Sequence, residues 1–223
     1  MSDPRTKAIL LDLDGTLLDT VNDLADAANA MLAELGRAPL PVETIRDFVG
    51  RGIPNLVGRC LGYPGESMAA DARNALVLFQ RHYTETNGRR TRVFPGAIEG
   101  LRAARRAGVK CACITNKAAA FVRPLLERMA LAEHLDLVIC GDTLAEKKPH
   151  PLPFLHACAS LGVAPAAALV VGDSRNDVAG ARAAGCPVVC VPYGYREGED
   201  VRELGADAIV ATVEEAVTRL VTS

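Results

Sequence analysis

From Val109 onward, short apolar runs alternate with stretches whose apolar positions recur at helical spacing. The runs Val109 to Ile114, Leu137 to Ile139, Ala168 to Val171, Val188 to Val191 and Ala208 to Val210 predict strands, with helices over 117–130, 150–161 and 176–184 between them. Such a β-α-β-α series, with unbroken apolar strands, implies a parallel sheet covered on both faces. Ala8 to Leu13 predicts one more strand of the same kind, set apart by a long stretch of different texture. Within 20–87, "DLADAANAMLAELG" and "MAADARNALVLFQRHY" repeat apolar and Ala positions at helix spacing, with little strand signal. The pattern therefore predicts a helical module inserted after the first strand. The chain returns through "NGRRTRVFPG", where Gly88, Pro95 and Gly96 punctuate and three arginines are expected to face solvent. The expected division is 1–18 with 90–223 as core and 19–89 as insert.

Composition narrows the function classes. The chain has 223 residues, 49% of them hydrophobic, enough for a sizeable core. Lys plus Arg number 25 against 27 for Asp plus Glu, so bulk charge points neither to nucleic acid nor to a membrane surface. The apolar stretches are strand-sized, and Asp3, Pro4, Arg5 and Lys7 break any leader-like run, so a soluble cytoplasmic protein is expected. Seven scattered cysteines without a C-x-x-C read as reduced thiols, and four histidines without ligand spacing give no zinc site.

Four short motifs carry candidate chemistry. In "LLDLDGTLLDT", Asp12 and Asp14 end an apolar strand, where an unpaired buried charge costs several kcal/mol or more. Taken singly, each motif has a bland reading: "DLDG" as an Asp-Gly turn, "ITNK" as a helix start, "KKPHP" as a solvated loop, "GDSRND" as a capping turn. A calcium loop at the last fails, because Arg175 stands at a ligand position and Ala184 where the closing glutamate is required. Placement changes the picture, since all four lie at or just beyond the carboxyl ends of predicted parallel strands, where open α/β sheets bind ligands. Together they offer Asp12, Asp14 and Asp173 to a divalent cation and Thr115, Asn116 and Lys148 to an anion.

The order D-x-D-G-T (Asp12 to Thr16), a strand ending in Thr115, Lys148 before Pro149, and G-D-x-x-x-D (Asp173 and Asp177) resembles the haloacid dehalogenase superfamily of phosphatases. The match spans nearly the whole chain. "KKPHPLP" and "VVGDSRNDVAGARAAG" followed by "YGY" look like the bacterial phosphoglycolate phosphatases within it. The resemblance implies an α/β fold with a doubly wound, Rossmann-like parallel sheet and an inserted α-helical cap domain. It implies Asp12 as nucleophile, Asp14 as general acid and base, and Mg2+ held by Asp12, the Asp14 carbonyl and Asp173. It further implies Thr115 and Asn116 gripping phosphoryl oxygens, Lys148 bridging phosphate and nucleophile, and Asp177 in support. Phosphoryl transfer needs chiefly alignment and charge neutralisation, which these groups provide.

In the insert, "FVGRGIPN" places Arg51 between two glycines, where a family cap presents specificity residues. Arg51 is a candidate fork for a substrate carboxylate, against a plain exposed loop arginine. The arginines at 89, 90 and 92 read as a solvated linker. The expected partner is a small phosphate monoester, 2-phosphoglycolate foremost, with nucleotide, pyrophosphate and sugar phosphates open and the oligomeric state undetermined. A phospho-acceptor signalling domain fits the residue types but not their order. A hydrolytic dehalogenase would need neither Asp14 nor a cation, and a phosphonate-cleaving relative would want a cap lysine, whereas no Lys lies between Lys7 and Lys110.

Overall fold

The computed structural model describes residues 6–66 and 69–221, so Asp3, Pro4, Arg5 and Met68 of the sequence reading lie outside it. The elements are β1 (Ala8–Leu11), β2 (Leu18–Asp19), α1 (Val21–Glu34), α2 (Val42–Arg46), α3 (Ile53–Cys60), α4 (Ala70–Thr86), β3 (Arg92–Val93), α5 (Ala97–Arg106) and β4 (Lys110–Ile114). There follow α6 (Ala119–Arg128), β5 (Leu137–Ile139), α7 (Leu152–Leu161), β6 (Ala168–Gly172), α8 (Arg175–Ala184), β7 (Val188–Cys190), β8 (Ala208–Ile209) and α9 (Val213–Val221). The main sheet runs β5-β4-β1-β6-β7-β8, and every pairing in it is parallel. This is the doubly wound α/β fold.

β1 sits mid-sheet, with Leu10 paired to Ala112 on one side and Val170 on the other. Its alternate side chains serve two cores, which is why it reads as a solid apolar run rather than an alternating one. Ile9 and Leu11 pack with Leu101, Val213 and Val217 from α5 and α9, while Ala8 and Leu10 pack with Phe154, Val178 and Ala181 from α7 and α8. The predicted strand overshoots: it stops at Leu11, because Asp12 to Thr16 turn away to form the site. α5 and α9 have no counterpart in the sequence reading. In α5, three arginines dilute the apolar stripe, and Gly100 has no side chain because a Cβ there would lie 2.9 Å from the backbone of Val213 and Glu214 in the α9 segment.

The helices α1 to α4 enclose their own apolar cluster, in which Leu24, Ala28 and Met31 meet Phe79 and Tyr83, all 3% exposed or less. Each such large side chain stabilises by roughly 1.5–3 kcal/mol through burial. Phe79, Tyr83 and Phe121 of α6 form an aromatic row, with centroids 5.5 and 4.9 Å apart, from these helices to the sheet layer. At the junction, β2 and β3 pair antiparallel, so the chain enters and leaves the helical segment side by side. Buried Asp23 fastens the return, accepting the N–H groups of Gly88, Arg90 and Thr91 and the Thr91 hydroxyl at 2.6–3.0 Å. Arg89, Arg90 and Arg92 are exposed, and Arg90 pairs with Asp26. No helix among the described residues is long and apolar enough to cross a membrane.

Candidate active site

Three strand ends and one loop converge. β1 delivers Asp12 and Asp14, β4 delivers Thr115, Asn116 and Lys117, β6 delivers Asp173, and the loop after β5 carries Lys148. A cavity open on one side is lined by all of these with Ser174 and Tyr195. Its other wall comes from the helical segment: Leu24, Val49, Gly50, Gly52, Ile53 and Leu56.

Lys148 is the hub. Its Nζ donates to Asp12 Oδ1 at 2.5 Å, to the Ile114 carbonyl at 2.6 Å and to Asp177 Oδ1 at 2.7 Å, which engages all three of its N–H groups. Burial alone would lower its pKa, but the flanking Asp12 and Asp177 carboxylates raise it above the ordinary lysine value. Asp177 also closes a capping box with Ser174 at the start of α8, so the helix itself fixes the carboxylate that fixes Lys148. Asp173 accepts from the Thr16 hydroxyl at 3.0 Å and the Tyr195 N–H at 2.5 Å. Gly15 approaches it closely: with φ at +97° and a Cβ that would fall 2.4 Å from Asp173 Oδ2, only glycine fits.

Burial pushes the Asp12 carboxyl up to about 7, against the pull of Lys148 and helped by Asp177. Burial likewise pushes Asp173 well above the usual carboxylate range, with Asp12 and Asp177 adding to it. Asp12, Asp173 and Asp177 offer oxygens within 4.8 Å of one another, and each residue is 9% exposed or less. Ionised, these three carboxylates outweigh the single ammonium of Lys148 by two charges in a buried place. An all-oxygen donor set with that excess suits a hard divalent cation and not zinc.

Asp14 is held apart from this cluster, accepting from the Thr20 hydroxyl at 2.6 Å and from Lys117 Nζ at 2.9 and 3.2 Å. Thr115 accepts from the Lys117 N–H, which leaves its own hydroxyl proton for a ligand. The Asn116 side chain does not spend its amide on the cavity. Its Nδ2 donates to the carbonyls of Gly50 and Lys148. The backbone N–H groups of Leu13, Asp14 and Asn116 donate to no protein acceptor among the described residues, and such groups suit an anion. Arg51 does not line the cavity: its guanidinium, 55% exposed, leans outward onto Glu197, because the Gly50 and Gly52 backbone takes the inner position.

The sequence reading passed over Lys117, Thr20, Ser174 and Tyr195. Lys117 follows Asn116 directly, and its signal was a cation placed at a strand end among motif residues. Tyr195 lies in the quoted "YGY", and its hydroxyl donates to Asp19 while accepting from Thr20 and Val21 at the start of α1.

Known proteins decide the family. The haloacid dehalogenase-like hydrolase model matches residues 6–185. The chain belongs to the haloacid dehalogenase-like hydrolase family. Among curated relatives, a phosphoglycolate phosphatase of Nitrosospira multiformis is 52% identical over 217 residues, covering 96% of this chain and 95% of that one. Another, from Thiobacillus denitrificans, is 50% identical, covering 94% and 93%. A solved structure described as a predicted phosphoglycolate phosphatase from Haemophilus somnus superposes with a TM-score of 0.91 at 28% identity, covering 98% and 99%. The protein is thus an enzyme, a phosphatase of this hydrolase family.

Proposed function

We propose that this enzyme hydrolyses a small phosphate monoester, 2-phosphoglycolate before others, to glycolate and phosphate, with Asp12 as the group that accepts the phosphoryl. The observation that carries the mechanism is the division of labour between two carboxylates on one turn. Asp12 is fixed by Lys148 inside the buried acidic cluster, whereas Asp14 stands outside it, tied to Thr20 and Lys117. One carboxylate is thereby aimed as a nucleophile, and the other is placed to protonate the leaving alkoxide and then to take a proton from the hydrolytic water. Thr115 and the open N–H groups of Leu13, Asp14 and Asn116 would receive the equatorial oxygens. A magnesium ion would be held by Asp12, Asp173 and the Asp14 carbonyl, and when bound it supplies positive charge beside the phosphoryl oxygens. Residues 19–89 act as a cap whose apolar wall excludes water from the covalent intermediate. The setting is the cytoplasm, in keeping with seven buried free cysteines.

The substrate assignment rests on the curated relatives' names and on the modest cavity. A panel of phosphate monoesters assayed with magnesium tests it, with phosphoglycolate expected to give the highest kcat/KM. A nucleotide or sugar phosphate ranking first would overturn it. Rapid acid quench with labelled substrate should trap phosphate on the wild-type protein and none on Asp12→Asn.

A further inference from the structure

We infer that Lys117 is the residue that reads the substrate's carboxylate. The inference rests on the phosphoglycolate reading above and deepens it. The wall that the helical segment turns toward the cavity is made of Leu24, Val49, Ile53, Leu56 and two glycines, so it offers an anion no charged partner. Arg51 faces Glu197 outside. Of the two ammonium groups lining the cavity, Lys148 has its three N–H groups engaged by Asp12, Ile114 and Asp177. Lys117 is different. Its side chain is only 3% exposed, and its Nζ meets a single carboxylate, Asp14 at 2.9 and 3.2 Å, with the face of the Tyr83 ring 4.9 Å away, so one anion faces it where two face Lys148.

Position agrees with chemistry. Asp14, as proton donor, must touch the ester oxygen, and Lys117 Nζ lies 2.9 Å from Asp14. In phosphoglycolate the carboxylate is one carbon beyond that ester oxygen, so a group bonded to Asp14 is within reach of it. Anchoring is firm as well, since Tyr83 belongs to the aromatic row joining α4 to α6. A charged donor held in place before the ligand arrives offers a contact that only the anionic substrate can use.

The test compares two esters of like size, 2-phosphoglycolate and ethyl phosphate, in the full-length magnesium-loaded enzyme. Wild type should prefer phosphoglycolate, and Lys117→Met should cut the ratio of the two kcat/KM values by roughly 10- to 100-fold, the range for a hydrogen bond to a charged group. Lys117→Gln, which keeps length and polarity, should cut it too and serves if the Met variant does not fold. Calorimetry should agree: sulfoacetate, which carries both anionic ends, should bind wild type more tightly than ethanesulfonate, and lose that advantage in either variant. An unchanged ratio, with both rates falling together, would overturn the inference and leave Lys117 as a support for Asp14. A wild type without preference for phosphoglycolate would instead overturn the substrate reading.

Discussion

The Asn116 side-chain amide donates to the Gly50 carbonyl at 2.9 Å, joining the end of β4 to the loop between α2 and α3. The same Nδ2 reaches the Lys148 carbonyl at 2.8 Å, and Asn176 adds a longer bond to Gly50 at 3.3 Å. A residue placed by its motif for the anion is also a clasp on the helical segment.

Removing that clasp should loosen closure. Asn116→Ala is expected to lower kcat/KM by about tenfold, the worth of one or two neutral hydrogen bonds. Amide exchange at Gly50, Arg51 and Gly52 should quicken in parallel. Unchanged exchange with reduced activity would confine Asn116 to the anion.

Arg51→Ala should have a small and even effect. Its pair with Glu197 is half-exposed, and such pairs contribute about 0–1 kcal/mol. Equal, minor losses on phosphoglycolate and p-nitrophenyl phosphate are expected. A loss confined to phosphoglycolate would make the arginine a substrate contact after all.

Lys148→Met should unfold more easily as well as lose turnover. It strands Asp12 and Asp177 as buried carboxylates without a counter-ion, a defect that costs about 3–5 kcal/mol. Urea titration of the metal-free protein reads the first effect apart from the second. A stability within error of wild type would show that the cluster rearranges at little cost.

Acidity should stabilise the metal-free enzyme at Asp12. A carboxyl raised to about 7 from 3.8 binds its proton more tightly folded than unfolded. Its contribution is therefore most favourable below the unfolded value and falls as pH rises toward 7, by an amount on the order of a few kcal/mol. Asp173 is displaced in the same direction. Metal-free Asp12→Asn should accordingly melt above wild type at pH 8 and close to it at pH 4, and magnesium should close the gap at pH 8. Carboxylates remote from the site are common to both proteins, so the difference isolates position 12. Wild type melting above the variant at pH 8 without metal would contradict this account. Chelation should abolish turnover, and added magnesium restore it.

The sheet was legible because strands buried on both faces have no polar alternation to confuse, and Leu10 or Val170 could hardly lie elsewhere. The acidic residues were legible because carboxylates at the ends of such strands are costly without a purpose. Where partners lie far apart in the chain, the signal disappears. Lys117 is 103 residues from Asp14, and Tyr195 is 176 from Asp19. Asp23 looked like one more polar position on an amphipathic helix, yet it holds the returning linker through four hydrogen bonds. At Arg51 the glycines on both sides bring the backbone to the cavity while the guanidinium pairs with Glu197, and the Arg51→Ala comparison tests its candidate role toward substrate.

The central place of β1 has a consequence for how the molecule is made. Its sheet neighbours begin at Lys110 and Ala168, so the strand leading into Asp12 emerges before either and waits longest for its partners. At roughly 5–20 residues per second, about 5–20 seconds of translation separate β1 from β4. The helices α1 to α4 appear in that interval and can gather their own cluster around Phe79 and Tyr83. The nascent polypeptide thus presents β1 without its sheet partners throughout that interval, and its exposure to misassociation lengthens as elongation slows.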